Sequence, residues 1–153
     1  MLGKRVLAAG KFDILHLGHL AYLKQARQLA GEDGELVVVI ALDKTIEKQR
    51  GAPPVFPQEQ RRRLVESLEA VDRAVLGYDT EDQSVIVHDI KPDIVALGYD
   101  QNANTHAIEE RLSEAGLSTK IVRLKKMKAD GLCSSTLIRK RIIDYYRENG
   151  RAR

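Results

Sequence analysis

A Rossmann-like α/β fold, with a doubly wound parallel sheet of five strands in order 3-2-1-4-5, is what this sequence predicts. Three observations carry the prediction. Apolar β-branched runs alternate with stretches of helical periodicity along the chain. The run Leu36-Val37-Val38-Val39-Ile40-Ala41-Leu42 is continuous rather than alternating, as in a strand buried on both faces. The first strand passes through a glycine turn straight into a helix, at the carboxyl end where such sheets bind ligands.

The elements follow in order. Val6-Leu7-Ala8-Ala9 is the first strand, and Leu20, Leu23, Ala26, Leu29 and Ala30 recur at helical spacing behind it. The turn Gly31-Glu32-Asp33-Gly34 leads to the second strand, 36–42. A basic segment, 43–51, is followed by Ala52-Pro53-Pro54-Val55-Phe56-Pro57, whose prolines exclude a helix interior. A helix is expected over 58–70, from Leu64, Val65 and Leu68, and a third strand over 72–76. A short helix over 84–90 stops before Pro92. A fourth buried strand spans 93–98, and a helix over 104–115 ends on Gly116 as its cap. The fifth strand is 119–124. After a basic loop over 125–133, Ser134 or Ser135 caps a last helix expected to bury Leu137, Ile138, Ile142 and Ile143. The tail Arg151-Ala152-Arg153 is expected to fray. No repeat, linker or low-complexity tract divides residues 1–153, so one domain is expected.

Composition narrows the function classes. The chain of 153 residues is 43% hydrophobic, enough for one substantial core. A net charge of +3, spread along the chain, suits small anionic ligands at least as well as nucleic acid. Two Phe, five Tyr and no Trp leave little for a base-stacking platform. The single cysteine, Cys133, permits neither an internal disulfide nor a thiolate zinc cluster. No apolar run approaches the length of a membrane helix and no secretory h-region opens the chain, so a cytoplasmic protein is expected.

The chemistry concentrates in Gly10-Lys11-Phe12-Asp13-Ile14-Leu15-His16-Leu17-Gly18-His19. His16 and His19, three apart, are expected on one face of the first helical turn. A helix N-terminus offers free N–H groups and partial positive charge to phosphate. Histidines there could donate to phosphate oxygens, and Gly18 between them would let a ligand approach the backbone. The spacing alone also suits metal ligation or no function.

The full string G-x-F-D-x-x-H-x-G-H resembles the signature of the cytidylyltransferase-like nucleotidyltransferase superfamily. That resemblance implies an HxGH nucleotidyltransferase in which His16 and His19 bind the triphosphate and stabilise transition-state charge. It implies nucleotide contacts from Gly10, Lys11, Phe12, Asp13, Leu17 and Gly18 as well. Three further segments match. Lys48-Gln49-Arg50-Gly51 stands where relatives carry a basic residue in a mobile loop that closes on the triphosphate, leaving Lys48 or Arg50 as the closing cation. Pro57-Gln58-Glu59-Gln60-Arg61-Arg62 resembles the following E-x-R helix, with Arg61 as a second cation or as the group orienting the acceptor phosphate. Gly98-Tyr99-Asp100-Gln101 follows the fourth strand, where an acidic residue contacts the ribose or base; Asp100 could equally be a turn residue. Asp130-Gly131-Leu132-Cys133-Ser134-Ser135-Thr136 resembles a Ser/Thr-rich motif, implying phosphate contacts from Ser134 and Ser135. The family usually has a small hydroxyl or thiol residue after Gly10; Lys11 departs from that pattern.

The implied reaction is in-line attack of an acceptor phosphate on the α-phosphorus of ATP or CTP, with release of pyrophosphate. Mg²⁺ is expected to ride on the triphosphate, since no carboxylate cluster forms a dedicated metal site. The small size and the Gly98-Tyr99-Asp100-Gln101 string resemble the archaeal FAD synthases, which implies AMP transfer from ATP to FMN. A polyol- or sugar-phosphate acceptor is the rival. An FMN acceptor predicts a flat apolar slot, and a polyol a small polar one. A non-catalytic nucleotide sensor and an RNA-binding module are readings from other classes; the intact His16, Gly18, His19 and Ser134-Ser135 oppose the first. The chain's length and the absence of a lysine-rich synthetase motif oppose the second. A homodimer is expected from the family.

Overall fold

The computed structural model describes residues 3–101, 104–127 and 130–150. Five strands, β1 (Arg5–Gly10), β2 (Glu35–Ile40), β3 (Arg73–Leu76), β4 (Ile94–Leu97) and β5 (Lys120–Arg123), form one parallel sheet in order β3-β2-β1-β4-β5. The helices are α1 (Leu17–Ala30), α2 (Asp43–Arg50), α3 (Gln58–Glu66), α4 (Ser84–Ile90), α5 (Thr105–Glu114) and α6 (Ser135–Asn149).

Pleat alternation sorts the strand residues onto two apolar faces. Val6, Ala8, Leu36, Val38, Ile40 and Ala96 meet Leu23 and Ala26 of α1 and Val65 of α3. Leu7, Val37, Val39 and Val95 meet Ile86 and Ile90 of α4. Both faces of β1 and β2 are therefore covered, which is why their sequences run continuously apolar.

Three expectations are corrected. The segment 43–51 is not a loop, because residues 43–50 form α2. Its one buried residue is Ile46, too little for an amphipathic period, and it ends on Gly51 at φ 77°. The last helix does not bury its apolar residues: no residue of α6 is buried, and Leu137, Ile142 and Ile143 are all exposed. The helix after Pro57 also stops at Glu66 rather than at residue 70. The cap at Gly116 is of Schellman type, with Leu117 N–H bonded to Leu112 C=O at 2.9 Å and Gly116 at φ 81°. The 151–153 tail and residues 128–129 of the basic loop lie outside the described residues.

Candidate functional site

The site forms where β1 and β4 part. Their ladder ends at Ala8 opposite Ala96, and two side chains wedge the gap beyond it. The Tyr22 hydroxyl donates to Ala96 C=O at 2.6 Å and accepts from Ala9 N–H at 3.3 Å. Gln101 donates to Ala9 C=O at 3.2 Å and accepts from Gly98 N–H at 2.7 Å. The topological switch point is thus built open, with its backbone groups satisfied by side chains. Burial, above all, raises the Tyr22 pKa well above the ordinary phenol value. Tyr22 was legible only as a polar tip on an apolar helix face, one turn after His19.

His16 is the N-cap of α1 rather than a residue of its first turn. Its backbone is extended, and its Nδ1 accepts from Gly18 N–H at 3.1 Å and His19 N–H at 3.4 Å. His19 Nδ1 in turn accepts from His16 N–H at 3.3 Å, completing a capping box made of two histidines. Their rings stack with centroids 3.7 Å apart. This geometry fixes both tautomers. Each Nδ1 is an acceptor, so each neutral ring carries its proton on Nε2, on the edge turned away from the backbone. Two of the first-turn N–H groups that the sequence offers to phosphate, those of Gly18 and His19, are therefore taken, and two Nε2–H groups are added as donors. Hydrogen bonds into Nδ1 from a helix N-terminus polarise the rings and strengthen those donors.

Both rings are neutral at pH 7. Burial lowers the His19 pKa from 6.5 to about 4, with repulsion from His16 adding and Asp13 opposing; burial also lowers that of His16. The pair is thus a preorganised set of neutral donors in the free site.

Gly18 does not open space for a ligand. A Cβ there would lie 2.4 Å from the Cys133 carbonyl oxygen and 3.0 Å from the His16 ring. The glycine lets the segment before α6 close on the start of α1, so two helix N-termini converge. Ser134 caps α6 by accepting from Leu137 N–H at 3.1 Å. The other N–H groups of that first turn, from Ser135 onward, have no intrahelical acceptor, which is the chemistry by which a helix start can hold an anion.

Three residues of the signature turn inward. Phe12, at φ 51°, is 2% exposed and packs on His19 and Tyr22 with centroids 5.2 and 6.3 Å away. Its side chain backs the His19 ring instead of meeting a nucleotide. The buried Asp13 carboxylate accepts from Val55 N–H at 2.8 Å and Phe56 N–H at 2.9 Å, fastening the proline segment to the turn. Gly10 lies against Phe12, whose ring would be 2.9 Å from an added Cβ. Lys11 and Leu17 are exposed.

Arg61 is corrected outright as a substrate cation. It is 0% exposed, and it donates to Phe56 C=O at 2.9 Å, Lys11 C=O at 2.7 Å and Asp43 Oδ1 at 2.7 Å. No edge of the guanidinium is left for a ligand. The two candidate closing cations lie on α2, not in a loop. Lys48 pairs with Glu81 at 3.0 Å on an exposed surface. Arg50 donates to Pro53 C=O at 2.9 Å and lies 3.8 Å from Asp13 Oδ2, beside the signature turn. Asp100 is exposed next to Gly98, and the Gly98–Gln101 turn is held by Arg123, which donates to Gln101 C=O at 2.6 Å. Among the described residues no group of three or more His, Cys, Asp or Glu is placed to hold a metal ion. No helix among them is long and apolar enough to cross a membrane.

Known proteins resemble this arrangement over most of its length. The family model described as cytidylyltransferase-like matches residues 7–141. The FAD synthase of Methanopyrus kandleri is 44% identical over 146 residues, covering 95% of this chain and 96% of that protein. The FAD synthase of Archaeoglobus profundus is 44% identical over 140 residues, covering 92% and 86%. A crystal structure described as a lipopolysaccharide core biosynthesis protein from Thermoplasma volcanium superposes with a TM-score of 0.75 at 42% identity, covering 82% of this chain and 99% of that one. A pantoate-beta-alanine ligase from Francisella tularensis, at 16% identity and a TM-score of 0.55, shares the fold alone.

Proposed function

The chain belongs to the cytidylyltransferase-like family, and from that footing we propose that it transfers AMP from ATP to FMN, giving FAD and pyrophosphate. The observation that carries the reaction class is the stacked pair His16–His19, neutral and with both Nε2–H groups outward, beside the start of α6. The acceptor is argued from relatives named FAD synthase that match this chain nearly end to end. Leu17, Leu132 and Tyr99, all exposed around the site, suit a flat apolar ring better than a polyol.

An oxygen of the FMN phosphate attacks the α-phosphorus. That P–O bond forms as the bond from the α-phosphorus to the bridging oxygen of pyrophosphate breaks, and the electron pair leaves with pyrophosphate. The nucleophile is already an anion, so no base is required. His16 and His19 donate from Nε2 to triphosphate oxygens. The Ser134–Ser135 cradle holds the departing phosphates, and Arg50 lies nearest for closing on them. Asp100 and Gly98 face the ribose and base side. Catalysis is positioning plus fixed dipoles aimed at developing charge. Mg²⁺ enters with ATP as part of the substrate. The same reading takes residues 1–153 as one cytoplasmic nucleotidyltransferase domain that acts on small molecules rather than nucleic acid, and as a homodimer.

Chromatographic detection of FAD from FMN and ATP tests the proposal. FAD should accumulate with the wild type, and fall about a thousand-fold with His16→Ala, the scale of losing preorganised charge-stabilising donors. Undiminished FAD formation by His16→Ala would remove the histidine pair from the chemistry.

A further inference from the structure

One side chain stands where the ladder between β1 and β4 should continue. Lys4 C=O and Gly10 C=O accept from Glu35 N–H and Ala41 N–H, at 3.0 and 2.9 Å, so the even-numbered residues here face β2 and Ala9 faces β4. Asp93 C=O and Leu97 C=O accept from Lys120 N–H and Leu124 N–H, at 3.0 and 2.8 Å, so the odd-numbered residues of β4 face β5 and Gly98 faces β1. A parallel ladder with Ala8 opposite Ala96 continues with a bond from Gly98 N–H to Ala9 C=O. That bond is not made. Gly98 N–H donates instead to Gln101 Oε1 at 2.7 Å, and Gln101 Nε2 donates to Ala9 C=O at 3.2 Å. The half-buried carboxamide occupies the rung, supplying an acceptor to one strand and a donor to the other. The Tyr22 hydroxyl, bonded to Ala9 N–H and Ala96 C=O, pins the ladder one step before the split.

We propose that Gln101 is a positioning residue, which holds β1 and β4 one rung apart so that the cleft between their ends admits the nucleotide. The two strands run directly into the two turns of the site, β1 into the signature turn at Gly10 and β4 into the turn that carries Asp100. The second turn moves as a unit. Gln101 N–H donates to Gly98 C=O at 3.2 Å, and Arg123 donates to Gly98 C=O and Gln101 C=O at 3.3 and 2.6 Å. Without the carboxamide, Gly98 N–H and Ala9 C=O are a donor and an acceptor facing each other, and each is the other's nearest partner. Their pairing lengthens β4 and draws the Asp100 turn onto the signature turn. Nucleotide binding must then reopen the rung, which weakens affinity and leaves the chemistry at saturation unchanged. The identity of the ligand rests on the nucleotidyl-transfer reading above; the state of the rung does not.

Two measurements on the whole chain test this. Scalar coupling across a hydrogen bond, read by NMR between the Gly98 nitrogen and the Ala9 carbonyl carbon, should be absent in the wild type and present in Gln101→Ala. Gln101→Met, which fills the gap without bonding, should show no coupling. In calorimetry, Gln101→Ala should bind ATP with Mg²⁺ about ten-fold more weakly, the population effect of one ladder bond that binding must break. Its kcat at saturating ATP should change less than about two-fold. Gln101→Met should keep ATP affinity within about three-fold of the wild type, because the strands stay apart. A substitution that only harms folding gives the opposite split, with kcat lowered in proportion to the folded fraction and affinity unchanged. That split in Gln101→Ala would overturn the proposal, as would a coupling in the wild type or none in Gln101→Ala. A wild type that binds no ATP would instead remove the nucleotidyl-transfer reading, and the coupling would still decide whether Gln101 holds the rung open.

Discussion

Replacing Arg61 by methionine removes a buried guanidinium while keeping most of its volume. Three acceptors lose their partner: Phe56 C=O, Lys11 C=O and the Asp43 carboxylate, held at 2.9, 2.7 and 2.7 Å. Breaking a buried ion pair costs about 3–5 kcal/mol. Asp43 is 42% exposed and can turn to water, which offsets part of that. The two carbonyls are fixed in the backbone and cannot turn away, and each unmade bond costs about 1–3 kcal/mol. A net loss of about 4 kcal/mol follows, read in urea as a lower midpoint with an unchanged slope. In a chain of this size it corresponds to a melting temperature lower by about 8–16 °C. Activity should fall through the Lys11 turn, with the KM for both substrates preserved better than kcat. A variant as stable as the wild type but with the KM for one substrate raised a hundred-fold would refute the reasoning and make Arg61 a ligand.

Gly18→Ala should lower stability by about 2 kcal/mol and activity at least ten-fold, because its methyl must displace the Cys133 carbonyl and part the two helix starts; thermal melts and steady-state rates read both. Arg50→Ala should lower kcat/KM about ten-fold, whereas Lys48→Ala, on an exposed pair, should change it less than about two-fold. The His19 pKa is lowered in the fold, so the unfolded chain binds the extra proton between pH 6.5 and about 4. Stability is therefore full above pH 6.5 and declines as pH falls, by about 2 kcal/mol at pH 5. Urea titrations at the two pH values should show that slope, and His19→Gln should flatten it.

The sheet and its order were legible because hydrophobic runs and crossover handedness leave few alternatives. α2 was not, since Ile46 alone anchors it and one buried residue makes no period. Within the signature, sequence marked the right string but could not assign directions. Phe12 and Asp13 occupy ligand-binding spacing yet turn inward, because the turn must be packed and fastened before it can hold anything. Arg61 read as a surface cation in the run Gln58-Glu59-Gln60-Arg61-Arg62, and only the convergence of three acceptors from distant segments reveals its role. Gly18 was correctly singled out, for the wrong neighbour: its missing Cβ accommodates Cys133, contributed from more than a hundred residues away. Tyr22 and Gln101 were invisible as site-builders, since their work is to satisfy the backbone of two strands that separate.

The most direct test of the proposed reaction is pyrophosphate release with Mg²⁺, pairing ATP or CTP with FMN, glycerol 3-phosphate or heptose 1-phosphate. Release with ATP and FMN alone, matched mole for mole by FAD, is the predicted result. Release with either polyol or sugar phosphate and none with FMN would contradict it.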